Sequence, residues 1–147
     1  MRLFIDACVP EPISQSVESI LRGEHQVKSA QRVNWHKKKD VQLIRDAANH
    51  GFEAFLTSDL GQLIDPAEIE AIHRARIHHI RFRTIDGKVG LGLMLGVVAA
   101  SILPVLDLLS ETTGQRLVEL RTPSTAKRFF TICDPRRGGA APVYWPR

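Results

Sequence analysis

MRLFIDACVP, Met1 to Pro10, opens with a short apolar, β-leaning run, Arg2 to Ile5, that stops at a carboxylate, Asp6. Packing does not call for an acid at that place. Outward from it, strand and helix alternate. Pro12 suits a helix start, and Ile13, Val17, Ile20 and Leu21 recur at helical spacing until Gly23 ends the run. His25 to Ala30 is a weak strand. A polar, basic loop, QRVNWHKKK, leads to a helix that opens at Asp40, carries Val41, Ile44, Ala47 and Ala48 on one face, and ends at His50-Gly51. EAFLTSD, residues 53–59, is a second strand that ends on an acid, Asp59. A helix from Pro66 to Ala75 follows, with Asp65 as its cap, and Ile77 to Phe82 is a further strand. RLVELR and RFFTIC, separated by TPSTAK, read as a C-terminal β-hairpin. The alternation predicts an α/β fold on a mostly parallel central sheet.

The length of 147 residues is that of one domain, with 44% apolar residues and no linker or internal repeat. Residues 1–133 are expected to fold together, and the Pro/Gly/Arg-rich stretch 134–147 reads as a tail whose Tyr144 and Trp145 dock somewhere. Cys8 and Cys133 form neither a disulfide framework nor metal-ligand spacing, which suits a reducing, cytoplasmic setting. Asp6 interrupts the first apolar run too early for a signal peptide. The formal charge of +4 and pI of about 9.4 are compatible with a phosphate-rich partner. Val89 to Leu106 is free of charge and touches the lower length of a membrane span. It is read instead as a helix buried in the domain or in a subunit interface, with no membrane: it is short, Pro104 bends or breaks it, and Asp107 follows.

In parallel sheets ligands bind beyond the carboxyl ends of the strands, where Asp6 and Asp59 both stand. If their strands are neighbours, the carboxylates converge and repel, and a divalent cation relieves that repulsion. Mg²⁺ or Mn²⁺ takes oxygen ligands, activates water and neutralises charge growing on a phosphodiester oxygen. Asp6 and Asp59 are the leading candidates, with Thr57 and Ser58 placed to orient them. Asp40 reads equally as a helix cap or as a further ligand. Lys37, Lys38 and Lys39 precede Asp40 and suit RNA phosphates at the rim of a site, against a plain solvated face. Trp35 in the same loop suits either base stacking or a place in the core. No zinc signature, P-loop or dinucleotide fingerprint is present, and neither cysteine has a nucleophile motif.

LFIDACVP, KKKDVQLIRDAANHG and FLTSD, in this order and spacing, resemble the PIN-like toxin domains (VapC type) of bacterial toxin–antitoxin systems. The resemblance covers roughly residues 1 to 83. It implies a three-layer α/β/α PIN-like sandwich and an endoribonuclease dependent on Mg²⁺ or Mn²⁺. It also implies an antitoxin partner and a homodimer, with the helix at 89–106 as the interface. By position the metal-binding and catalytic acids are Asp6, Asp40 and Asp59. Two departures stand out. Ala7-Cys8 replaces the Glu-Asn frequent after the first acid, and Gly61 stands where a further acid is common, which implies metal binding that is weaker, that recruits Asp65, or that is lost. The missing acid favours a rival, a PIN-like module that binds RNA or protein without cleaving. A receiver-like phospho-acceptor is a second rival, but it requires paired acids after the first strand and a lysine at a later strand end.

Overall fold

β1 (Arg2–Ile5) lies inside a six-stranded sheet of order β2-β1-β3-β4-β5-β6. The computed structural model describes residues 1–122, 130–137 and 142–146. β2 (Gln26–Ser29), β3 (Ala54–Thr57), β4 (His78–Phe82) and β5 (Leu117–Leu120) run parallel with β1, and β6 (Phe130–Cys133) closes the far edge antiparallel to β5. Every residue of β3 is buried, as a central strand covered on both faces requires, whereas the edge strand β2 alternates and is mostly open. The expected hairpin is present; most of its connection, 123–129, lies outside the described residues.

Helices cover both faces. α1 (Glu11–Ile20) packs on α4 (Gly87–Ser110), and α2 (Asp40–Asn49) packs on α3 (Pro66–Ala75). Strand alternation then sorts the core into two clusters. Leu3, Ile5, Leu56, Ile80 and Phe82 join Val97 and Ile102 under α1 and α4. Phe4 and Phe55 join Ile44, Ile69 and Ile72 under α2 and α3. The result is the three-layer α/β/α arrangement that the resemblance implies.

The path from β3 to β4 and the path from β4 to β5 step the same way across the sheet, yet α3 covers one face and α4 the other. These two crossovers therefore have opposite hands. The connections through α1, α2 and α3 share one hand, so the α4 crossover is the one that departs from the rule for parallel units.

α4 corrects one expectation: Pro104 lies inside one continuous helix and does not break it. The carbonyl that loses its partner belongs to Ala100, one turn earlier. Both residues are on the exposed face, where water replaces the bond. By length and composition α4 is apolar enough to cross a membrane, but Met94, Val97, Val98, Ile102, Val105, Leu106 and Leu109 are buried against α1 and the sheet. Its outer face presents Val89, Gly92, Leu93, Gly96 and Ala100. At the other end of the chain Trp145 is buried while Tyr144 stays exposed.

Candidate active site

The chain reverses direction around β1, with β2 on one side and β3, the next strand in sequence, on the other. A crevice for ligands opens at the carboxyl edge of such a switch point. Asp6 follows β1 there, and its backbone N–H donates to the Leu56 carbonyl at 2.9 Å, so pairing with β3 continues past the strand. Asp59 leaves β3 at the same edge.

Asp6 is 3% exposed, and a buried carboxylate accepts only, so it needs donors. Its Oδ1 accepts from the Ala7 N–H at 2.6 Å. Its Oδ2 accepts from the Thr57 hydroxyl at 2.8 Å and the Gln62 amide at 3.0 Å, with the Cys8 thiol at 3.3 Å. Gln62 is itself fully buried and faces His79 Nε2 through Oε1 at 3.1 Å. With the Gln62 nitrogen turned to Asp6, the proton of that contact sits on His79 Nε2, and the buried Nδ1 has no partner among the described residues. Burial, and after it repulsion from Arg81, pushes His79 down to about 3, which keeps the ring neutral. Gln62 and His79 are positioning residues that the sequence reading missed. They meet Asp6 across long stretches of chain, and no motif announces them.

Thr57 also accepts from the Asp59 N–H at 3.0 Å, and Ser58 donates to the Cys8 carbonyl at 2.9 Å, so both lace the two strand exits together. The Cys8 residue is exposed, but its sulfur lies within 3.3 Å of Asp6, Thr57 and Ser58. Burial first and the Asp6 charge second push its thiol up, which disfavours a nucleophilic thiolate. Asp59 folds back so that Oδ1 accepts from the Gly61 N–H at 2.7 Å. A Cβ at residue 61 would stand 2.9 Å from that oxygen, so an acid at this position and the observed Asp59 rotamer exclude each other.

Asp40 is the first residue of α2, and the cap position is Lys39, without a side-chain cap bond. The cap reading of Asp40 therefore gives way. Burial raises the Asp40 pKa, as does repulsion from Asp6 and then Asp59, so Asp40 stands near enough to both to feel their charges. A further acid, Glu68 on α3, lies close enough to Asp40 for the two carboxyls to share a proton. Asp65 is engaged as the α3 cap, its Oδ1 accepting from the Ala67 N–H at 2.8 Å and the Glu68 N–H at 3.1 Å. Asp65 is thus the cap that its place before Pro66 predicts, and Glu68 is the further acid near Asp40. Its D-x-x-E spacing from Asp65 is that of a capping box, an ordinary helix start, which is why the sequence concealed it.

Burial pushes Glu68 up to about 7, reinforced by the charges of Asp40, Asp65 and Asp59 and by a proton shared with Asp40. Its folded pKa lies above the ordinary 4.5, so its stabilising contribution is complete below about 4.5 and is lost as pH rises through about 7. Glu68→Gln keeps a donor toward Asp40 and never ionises. Urea unfolding at pH 5 and pH 8 should show the variant losing less stability across that interval, by roughly 1 kcal/mol after allowance for solvent screening. Equal losses in both proteins would contradict the shared proton.

Among the basic candidates Lys37 and Lys39 are exposed beside Asp40. Lys38 is drawn inward to an ion pair with Asp46 and sits 4.3 Å over the Trp35 ring. Trp35 packs on Phe4 at 5.6 Å and on His50 at 4.8 Å. Base stacking would require Trp35 to leave those contacts.

Among the described residues no three acids, histidines or cysteines stand at metal-ligand spacing. The cluster still fits a hard divalent cation in donor type and charge. It is made of carboxylates, and the repulsion that raises Asp40 and Glu68 is what such an ion relieves. Mg²⁺ keeps several waters and is commonly held by one or two carboxylates, so a closed cage is not required. In comparisons with known proteins, residues 1–84 match the family described as PIN like domain. No curated protein and no solved structure matches the chain.

Proposed function

Because the chain belongs to the PIN-like domain family, a superfamily that often holds nucleases, we propose that it is a divalent-metal-dependent endoribonuclease acting as the toxin of a toxin–antitoxin pair. The observation that carries this reading is that Asp6 and Asp59 leave the neighbouring strands β1 and β3 at the same sheet edge, with Asp40 near enough to feel both charges. Asp6 and Asp59 would hold Mg²⁺ or Mn²⁺, with Asp40 as a third ligand or as the orienter of the attacking water. The ion would supply a more acidic bound water and neutralise charge on a phosphate oxygen. Thr57, Gln62 and His79 keep Asp6 in place, and Glu68 holds a proton near neutrality, where a general acid or base works best. Lys37 and Lys39 would bind RNA phosphates at the rim. The exposed Val89, Leu93 and small-residue face of α4 would form a homodimer, in the cytoplasm, with an antitoxin as inhibitor.

The test is cleavage of a mixed RNA pool by purified protein with Mn²⁺, with Mg²⁺ and with EDTA. Cleavage that requires the metal is expected. Intact RNA in every lane, from folded protein free of antitoxin, overturns the enzyme. One observation favours a non-catalytic binding module as the second reading: the Asp6 oxygens are already occupied by donors of the protein itself. RNA retained by the protein but uncut would select it.

A further inference from the structure

The amino-terminal edge of the sheet carries a second cavity, of about 750 Å³, at the end opposite the acid cluster. β4, five residues long, separates the two edges by roughly 15 Å. The walls include His73, Arg76, His78, Arg136 and Trp145. We propose that this cavity binds the phosphate group of a nucleotide-sized molecule.

Arg76 is the first support. It occupies the left-handed position that ends α3, with φ of 53°, where glycine is the favoured residue. Among the described residues its guanidinium has no acidic partner, whereas Arg74 beside it pairs with Glu70. A strained backbone that holds an uncommitted arginine over a cavity is a feature that packing does not explain.

The donors are the second support. Trp145 is 7% exposed and packs edge-on to His73 at 5.3 Å; its indole N–H and the His73 Nδ1, both shielded from solvent, have no partner among the described residues. His78 Nδ1 accepts from the Arg116 N–H at 3.1 Å, which leaves Nε2 as a neutral donor. Acceptors are scarce by comparison. Glu53 is an acid of the wall, and one of its oxygens accepts from the Arg2 N–H at 2.9 Å. Asp134 is shared among Arg116 at 3.2 Å, Arg136 at 3.5 Å and Arg137 at 3.6 Å, so its single charge is outnumbered. Residues 123–129 and 138–141 contain no Asp or Glu.

A cavity with excess guanidinium, a neutral histidine donor and little uncommitted acid suits an oxyanion, and guanidinium matches phosphate best through paired N–H groups. The volume falls in the range of small-molecule sites and exceeds what a bare phosphate fills. A free mononucleotide and the phosphorylated end of an RNA present the same group.

The two tryptophans provide the readout, since each gives one indole N–H signal in a ¹⁵N spectrum and Trp145→Phe identifies which is which. Pyrophosphate, AMP and a short 5′-phosphorylated RNA are titrated separately. The Trp145 signal is expected to move saturably while that of Trp35 stays, and AMP against RNA tells which source is taken. Arg76→Gly relieves the left-handed strain, so it is expected to raise the melting temperature while weakening binding by about tenfold or more. A Trp145 signal unmoved by all three probes overturns the proposal, as does Arg76→Gly protein that binds as tightly as the parent.

Discussion

Asp40→Asn is expected to lower metal-dependent RNA cleavage by at least about 100-fold, some 2.7 kcal/mol of barrier, while the unfolding midpoint stays level or rises. The two halves of this prediction have separate causes. The Asp40 side chain makes no cap bond, and an asparagine carbonyl can still accept from a protonated Glu68. Removing its charge also removes repulsion with Asp6 and Asp59. Asp6→Asn should differ: it too loses activity, but an amide N–H₂ then faces the Thr57 and Gln62 donors. If Gln62 turns over to meet it, the contact from His79 is lost, at a cost of roughly 1–3 kcal/mol. Cleavage rates and urea midpoints for both variants separate chemistry from folding. Asp40→Asn protein that retains more than about a tenth of the activity would remove Asp40 from the mechanism.

Phe4→Ala is expected to cost about 3–5 kcal/mol, a large part of the total stability of a domain this size. Phe4 is fully buried and touches Phe52 at 5.1 Å, Trp35 at 5.6 Å and Phe55 at 5.7 Å. It is the contact through which β1 holds the loop that carries Lys37 and Lys39. The melting temperature should fall by roughly 10–15 °C. A loss below about 1.5 kcal/mol would mean that the aromatic cluster collapses around the gap with little residual cavity.

How far the sequence could be read depended on the range of the forces involved. β1, β3 and the helices with regular apolar spacing were legible because local pattern and tertiary burial agree there. Pro104 misled because helix propensity weighs the missing N–H, whereas the outcome depended on Ala100 and Pro104 facing water. Asp6 and Asp59 were visible as strand-end acids. Gln62, Glu68 and His79 were not, because their meaning lies in partners that only the folded sheet brings near. Lys38 looked like its neighbours and proved different, since Asp46, two turns along α2, draws it inward. Trp145 was expected to dock, but its place against His73 on α3 followed from the fold alone.

The departing hand of the α4 crossover bears on how the chain is made. The family match ends at residue 84, after β4 and before α4. A nascent chain of that length can form four strands and three helices, with Phe4 and Phe55 already covered by α2 and α3. On the opposite face α1 stands alone, so Leu56, Ile80 and Phe82 stay uncovered and β4 is an open edge until α4 and β5 arrive. At ordinary synthesis speed that interval lasts a few seconds, long enough for an open edge and an apolar face to recruit a chaperone or a neighbouring nascent chain. Fragments ending near residue 84 should therefore aggregate even though they contain every acid of the candidate site.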